Sequence, residues 1–104
     1  MKTRPSVSSP RQSARDLAGL AQALANLPDS AAVAAFLRDL CTPAELEAMA
    51  DRWKVVPRLV EGMPYRDIHE ATGVSVTTVG RVARTLASGS GGYAAALKAR
   101  GAAR

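Results

Sequence analysis

The sequence predicts an all-α fold, a multi-helix domain built around a helix-turn-helix, and three observations carry that expectation. Apolar residues recur at spacings of three and four along most of the chain. Hydrophobic residues make up 47% of the chain but aromatic residues only 4%, which suits close helix packing better than β-branched and aromatic strands. A glycine corner, Thr72-Gly73-Val74-Ser75, separates two short amphipathic stretches as a tight turn between helices requires. The 104 residues suffice for one domain, and a chain this small gains core by dimerising.

Residues 1–14 are rich in Pro, Ser and Arg and are expected to form a disordered basic arm. The helical domain is expected over 15–104. From Arg15 to Asn26, Leu17, Leu20 and Leu24 recur at helical spacing, and Pro28 ends the run. Asp29 or Ser30 then caps a second helix with Val33, Phe36, Leu37 and Leu40 on one face.

Thr42-Pro43-Ala44-Glu45 is the clearest local start signal. The Thr hydroxyl can accept from the amide of residue 45, and the Glu carboxylate can reach back to the amide of residue 42. Proline at the first helical position needs no amide hydrogen. This third helix is expected to run to about Glu61, with Leu46, Met49, Trp53, Val56 and Val60 as a packing seam and Gly62 as its stop. Pro57 interrupts the hydrogen-bond ladder, and a kink near Trp53 is expected because the apolar spacing stays in phase. Trp53 is expected to be buried in the seam, at a dimer interface.

The stretch Tyr65 to Leu86 carries the function. A short helix ends at Gly73, Val74 fills the corner, and Ser75 caps a second helix. On that helix Val76, Val79, Val82 (or Ala83) and Leu86 are expected to face inward, against Ile68 and Ala71. Thr77, Thr78, Gly80, Arg81 and Arg84 are left facing outward. In such a unit the second helix enters the DNA major groove with its N-terminal residues at base edges. Tyr65, Arg66, Ser75, Thr77, Thr78, Gly80, Arg81 and Arg84 are therefore the candidate DNA-binding residues. The hydroxyls can meet phosphates or bases, the arginines guanine edges or phosphates, and Gly80 would allow close backbone approach. His69 stands four residues before the corner glycine, so it must point past the second helix.

Charge agrees with a polyanionic partner. The net charge is +5, yet residues 1–15 hold no acid, and none follows Glu70, while Arg81, Arg84, Lys98, Arg100 and Arg104 do. A helical interaction module whose basic ends meet an acidic protein would share this pattern. An enzyme is not expected. His69 is the only histidine, between Asp67 and Glu70, with no nucleophile and no metal-ligand spacing beside it. Cys41 is the only cysteine, which excludes an intramolecular disulfide and suits a reducing, cytoplasmic setting. The longest apolar stretch, Ala31 to Leu37, is far too short to span a membrane. Residues 1–27 lack the apolar core of a secretion signal.

From Leu40 to about Leu97 the sequence resembles the Trp repressor family, and most closely its YerC/YecD branch. The residues concerned are Thr42-Pro43-x-Glu45-x-Glu47-Ala48, Arg52-Trp53, Gly62, Tyr65-Arg66-Asp67-Ile68, Glu70-Ala71-Thr72-Gly73-Val74-Ser75, Thr78, Arg81 and Gly92-Tyr93. The resemblance implies an intertwined all-helical homodimer, a repressor whose two reading helices lie about one DNA turn apart on double-stranded DNA. It implies no cofactor, but a candidate corepressor, a tryptophan-like amino acid. Thr42, Arg52, Arg81 and Thr85 match or resemble residues lining that pocket in the repressor, with Arg52 and Arg81 flanking the indole. Val82 stands where the repressor has a glycine.

Overall fold

The computed structural model describes residues 9–102, and among these it shows six α-helices and no strand. The chain divides into two compact units at the Thr42–Pro43 boundary, where the sequence predicts one domain over 15–104.

The first unit holds α1 (Pro10–Ala25) and α2 (Ser30–Leu40). Helix α1 starts five residues before the expected Arg15, so residues 10–14 of the expected disordered arm are helical. The cause is local. The Ser9 hydroxyl accepts from the Gln12 amide at 3.0 Å, and Pro10 occupies the first turn with its φ already helical. Gln12 also donates to the Asp16 carboxylate one turn on, at 2.8 Å. Residues 1–8 of the expected arm lie outside the described residues. Asp29, and not Ser30, caps α2, accepting from the Ala32 amide at 2.9 Å. Neither helix contains a buried residue, and Leu17 and Leu40 are 66% and 51% exposed. The other residues of the apolar faces that the spacing defines, Leu20, Leu24, Val33, Phe36 and Leu37, are half-buried.

The second unit holds α3 (Pro43–Val60), α4 (Tyr65–Thr72), α5 (Val76–Ser88) and α6 (Gly92–Ala102). Helix α3 begins at the expected proline, and Thr42 and Glu45 both engage partners. It continues through Pro57 as one element. It stops at Gly62, whose φ of +85° is left-handed and free of Cβ strain only in glycine. The Met63 amide bonds back to the Arg58 carbonyl and the Gly62 amide to that of Leu59, both at 3.0 Å. This pairing satisfies the last carbonyls of the helix.

Helices α4 and α5 pack on α3 and on each other, and α6 returns to α3. The core between them is Val55, Val56, Ile68, Val74, Val79 and Val82, bordered by Trp53, Leu59, Met63, Leu86, Tyr93 and Leu97. Each fully buried aliphatic side chain contributes roughly 1.5–3 kcal/mol by leaving water. The core is built from small β-branched residues and brings the helix-turn-helix flush against α3. Trp53 is half-buried at its edge, its ring 6.5 Å from that of Tyr93 at an angle of 34°.

Candidate nucleic-acid interface

The corner between α4 and α5 is built almost wholly from side chains within it. Gly73 adopts φ +79° and returns its amide to the His69 carbonyl at 2.8 Å. Thr72 donates to the Ile68 carbonyl at 2.6 Å and accepts from the Val74 amide at 3.1 Å. His69 Nδ1 meets the Val74 carbonyl at 2.8 Å, and because a carbonyl only accepts, Nδ1 carries the proton. These bonds fix the angle at which α5 leaves α4. Val74, at 4% exposure, anchors the corner in the core.

Ser75 then caps α5, accepting from the Thr78 amide at 3.1 Å and donating to the Thr78 hydroxyl at 3.0 Å. Both hydroxyls are thus ordered before any ligand arrives. Val79 and Val82 face the core as the spacing requires, and Leu86 borders it. Val76 and Ala71 do not face inward: Val76 is 47% exposed and Ala71 is also exposed. Val76 is the first residue of α5, and Val74 already fills the space beneath that end. On α4, Thr72 turns toward the corner in place of Ala71.

The candidate residues divide by exposure. Tyr65, Arg66, Ser75, Thr77, Arg81 and Arg84 are exposed, while Thr78 and Gly80 are half-buried. Gly80 does not offer a bare backbone to a groove. A Cβ built there would lie 3.7 Å from both the Tyr65 ring and the Arg84 guanidinium. Tyr65 from the start of α4 and Arg84 from α5 therefore share one patch over Gly80, an adjacency that residue spacing does not reveal. The spacing requires of His69 only that it avoid the second helix. It stays exposed and also ties its ring to the corner. The one sequence signal for this is a hydrogen-bonding side chain within reach of a turn carbonyl.

Among the described residues, no ion pair holds Arg52, Arg66, Arg81 or Arg84. Asp51, which precedes Arg52 in the chain, pairs with Lys54 at 3.2 Å. The outer face of α5 thus carries positive charge that no described carboxylate neutralises. Of the residues expected in an effector pocket, Thr42 falls in the first unit, Arg52 is half-buried on α3, and Arg81 is exposed on α5. The Thr85 hydroxyl donates to the Arg81 carbonyl at 3.2 Å. Thr85 also lines a cavity of about 320 Å³ with Ser90, Gly92 and Tyr93. Val82 is 1% exposed and gives its volume to the core. Among the described residues no group of three potential metal ligands comes together, and no helix is long and apolar enough to cross a membrane.

Comparison with known proteins agrees with this geometry. The family model described as Trp repressor protein matches residues 15–100. The protein YerC of Bacillus subtilis is 36% identical over 83 residues, which is 80% of this chain and 80% of YerC. The crystal structure of a TrpR-like protein from Eubacterium eligens superposes with a TM-score of 0.80 at 32% identity. That match covers 89% of this chain and 96% of the other. The family match takes in α2 and most of α1, which the motif resemblance from Leu40 onward leaves out. With its corner, its cap and its matched span in agreement, the chain belongs to the Trp repressor family.

Proposed function

We infer that the protein is a sequence-specific, DNA-binding transcriptional repressor that acts as a homodimer, reading the major groove with α5. The observation that carries this reading is the outer face of α5. Thr77, Arg81 and Arg84 stand exposed on a helix with no acid and, among the described residues, no ion pair, behind a corner locked by its own hydrogen bonds. Ser75 and Thr78 hold their hydroxyls at the N-terminal end, where groove-reading helices contact base edges. Arg66 at the start of α4 is suited to the flanking phosphates. Dimerisation is supported by exposed Leu17 on α1 and Leu40 on α2, and by Met49 and Val60 on α3, which are 39% and 60% exposed. A cytoplasmic location follows from the same function.

Selection of bound duplexes from a random library tests the proposal. The expected result is a two-fold symmetric motif with half-site centres about 10 base pairs apart, one helical turn. Recovery of no enriched motif would remove sequence-specific reading.

An effector role for Arg52, Arg81 and Thr85, within the second unit, is a second reading. It is favoured by the two guanidiniums of Arg52 and Arg81, which no described carboxylate occupies and which suit the carboxylate of a tryptophan-like amino acid. Thermal melting with tryptophan present tests it. A ligand that binds the folded state raises its melting temperature, and an unchanged melting curve at millimolar tryptophan rejects the role.

A further inference from the structure

Arg84 is the last arginine on α5, and its guanidinium lies beside the open face of Gly80. Its Nη1 atom lies 3.7 Å from the point where a Gly80 Cβ would be, one turn back along the helix. Cε2 of the Tyr65 ring lies at the same 3.7 Å from that point. No carboxylate orients Arg84 among the described residues. The absence of a side chain at residue 80 opens a seat on α5, and the ring from α4 walls it on one side. Tyr65 itself is 44% exposed, and it is not among the residues that border the core.

We propose that Tyr65 is a positioning residue for Arg84: its ring, resting over Gly80, holds the guanidinium in the direction that meets DNA. The proposal rests on the reading of α5 as the DNA-facing helix. Its physical basis is preorganisation. An arginine side chain has many rotamers, and fixing it on binding costs conformational entropy. A ring that already excludes part of that rotamer space lowers the cost, so the bound complex gains affinity without a new contact to DNA. The device also couples the two helices of the corner, because Tyr65 belongs to α4 and Arg84 to α5.

A double-mutant cycle on duplex affinity tests the proposal, using the selected duplex and fixed salt. Tyr65→Ala should weaken binding about fivefold in the wild-type background but less than about twofold when Arg84 is already Ala. Tyr65→Phe should keep the full coupling to Arg84, since the ring and not the hydroxyl forms the wall. Multiplicative losses in the double variant would overturn the proposal, as would loss of the coupling to Arg84 in Tyr65→Phe. A second measurement needs no DNA. NMR relaxation of the Arg84 Nε–H group in the free protein should show it restrained in wild type and in Tyr65→Phe, and released in Tyr65→Ala. Equal mobility in all three would refute the positioning role even if the variants bound DNA differently. If the wild type bound no duplex while Arg84 remained restrained by Tyr65, the regulator reading would fail and the positioning contact would stand.

Discussion

Arg84 and Gly80 show how single residues divide the work on α5. Arg84 is exposed and lies outside the hydrophobic core, so Arg84→Ala should weaken duplex binding and leave folding and assembly intact. Sedimentation and thermal melting beside a binding titration check this, and a variant that fails to fold would mark Arg84 as structural. Gly80 sits mid-helix, and a methyl group at that position would meet its neighbours at ordinary contact distances. Gly80→Ala is therefore expected to raise stability by up to about 1 kcal/mol, the difference in helix propensity. Urea unfolding would show it, and a loss of stability would mean that the seat over Gly80 has no room for a methyl. Gly73 is the opposite case. At φ +79° any other residue is strained, and Gly73→Ala should cost more than the roughly 0.4–1 kcal/mol that the same change gains elsewhere, on the order of 1–2 kcal/mol. Ile68→Ala, emptying a fully buried site, should cost about 2–5 kcal/mol.

Helix ends carry much of what the sequence can specify. Ser75 closes the start of α5 through the Thr78 amide, and Ser75→Ala should cost about 1 kcal/mol, readable as a lower midpoint in chemical unfolding. The start at Pro43, the stop at Gly62, the corner at Gly73 and the cap at Ser75 all stand in the chain as local signals, because each depends on residues within one turn. The same holds for the alternation that puts Val79 and Val82 in the core. The start of α1 is also local, yet two signals conflict there: Ser9-Pro10 is a cap and first turn, while the surrounding composition points to disorder. Val76 departs from expectation for a different reason. Periodicity assigns a face to a helix but does not say where the neighbouring helix ends, and Val74 reaches the space under α5 first. The His69 tether and the Tyr65–Gly80–Arg84 adjacency depend on the angle between two helices, which spacing along one helix does not encode.

At the scale of the molecule, the second unit carries a small aliphatic core, while α1 and α2 hold half-buried apolar residues and no fully buried one. A second copy is the occupant proposed for those apolar faces, because a chain this short gains much of its core by association. Cross-linking or sedimentation should show a dimer. Trp53, half-buried beside Tyr93, should emit at shorter wavelength in that dimer than in the unfolded chain. A monomer at micromolar concentration would leave the exposed leucines without an explanation. The charge distribution makes the further demand that binding to DNA be electrolyte-sensitive, because each phosphate neutralised by an arginine releases counterions. The most direct test of the central claim is a fluorescence titration of labelled duplex at two salt concentrations. With about four phosphates neutralised per dimer, affinity should fall by about a hundredfold between roughly 50 and 200 mM monovalent salt. Absence of binding at the lower salt would contradict the account, and the basic face of α5 would then have to serve an acidic protein instead.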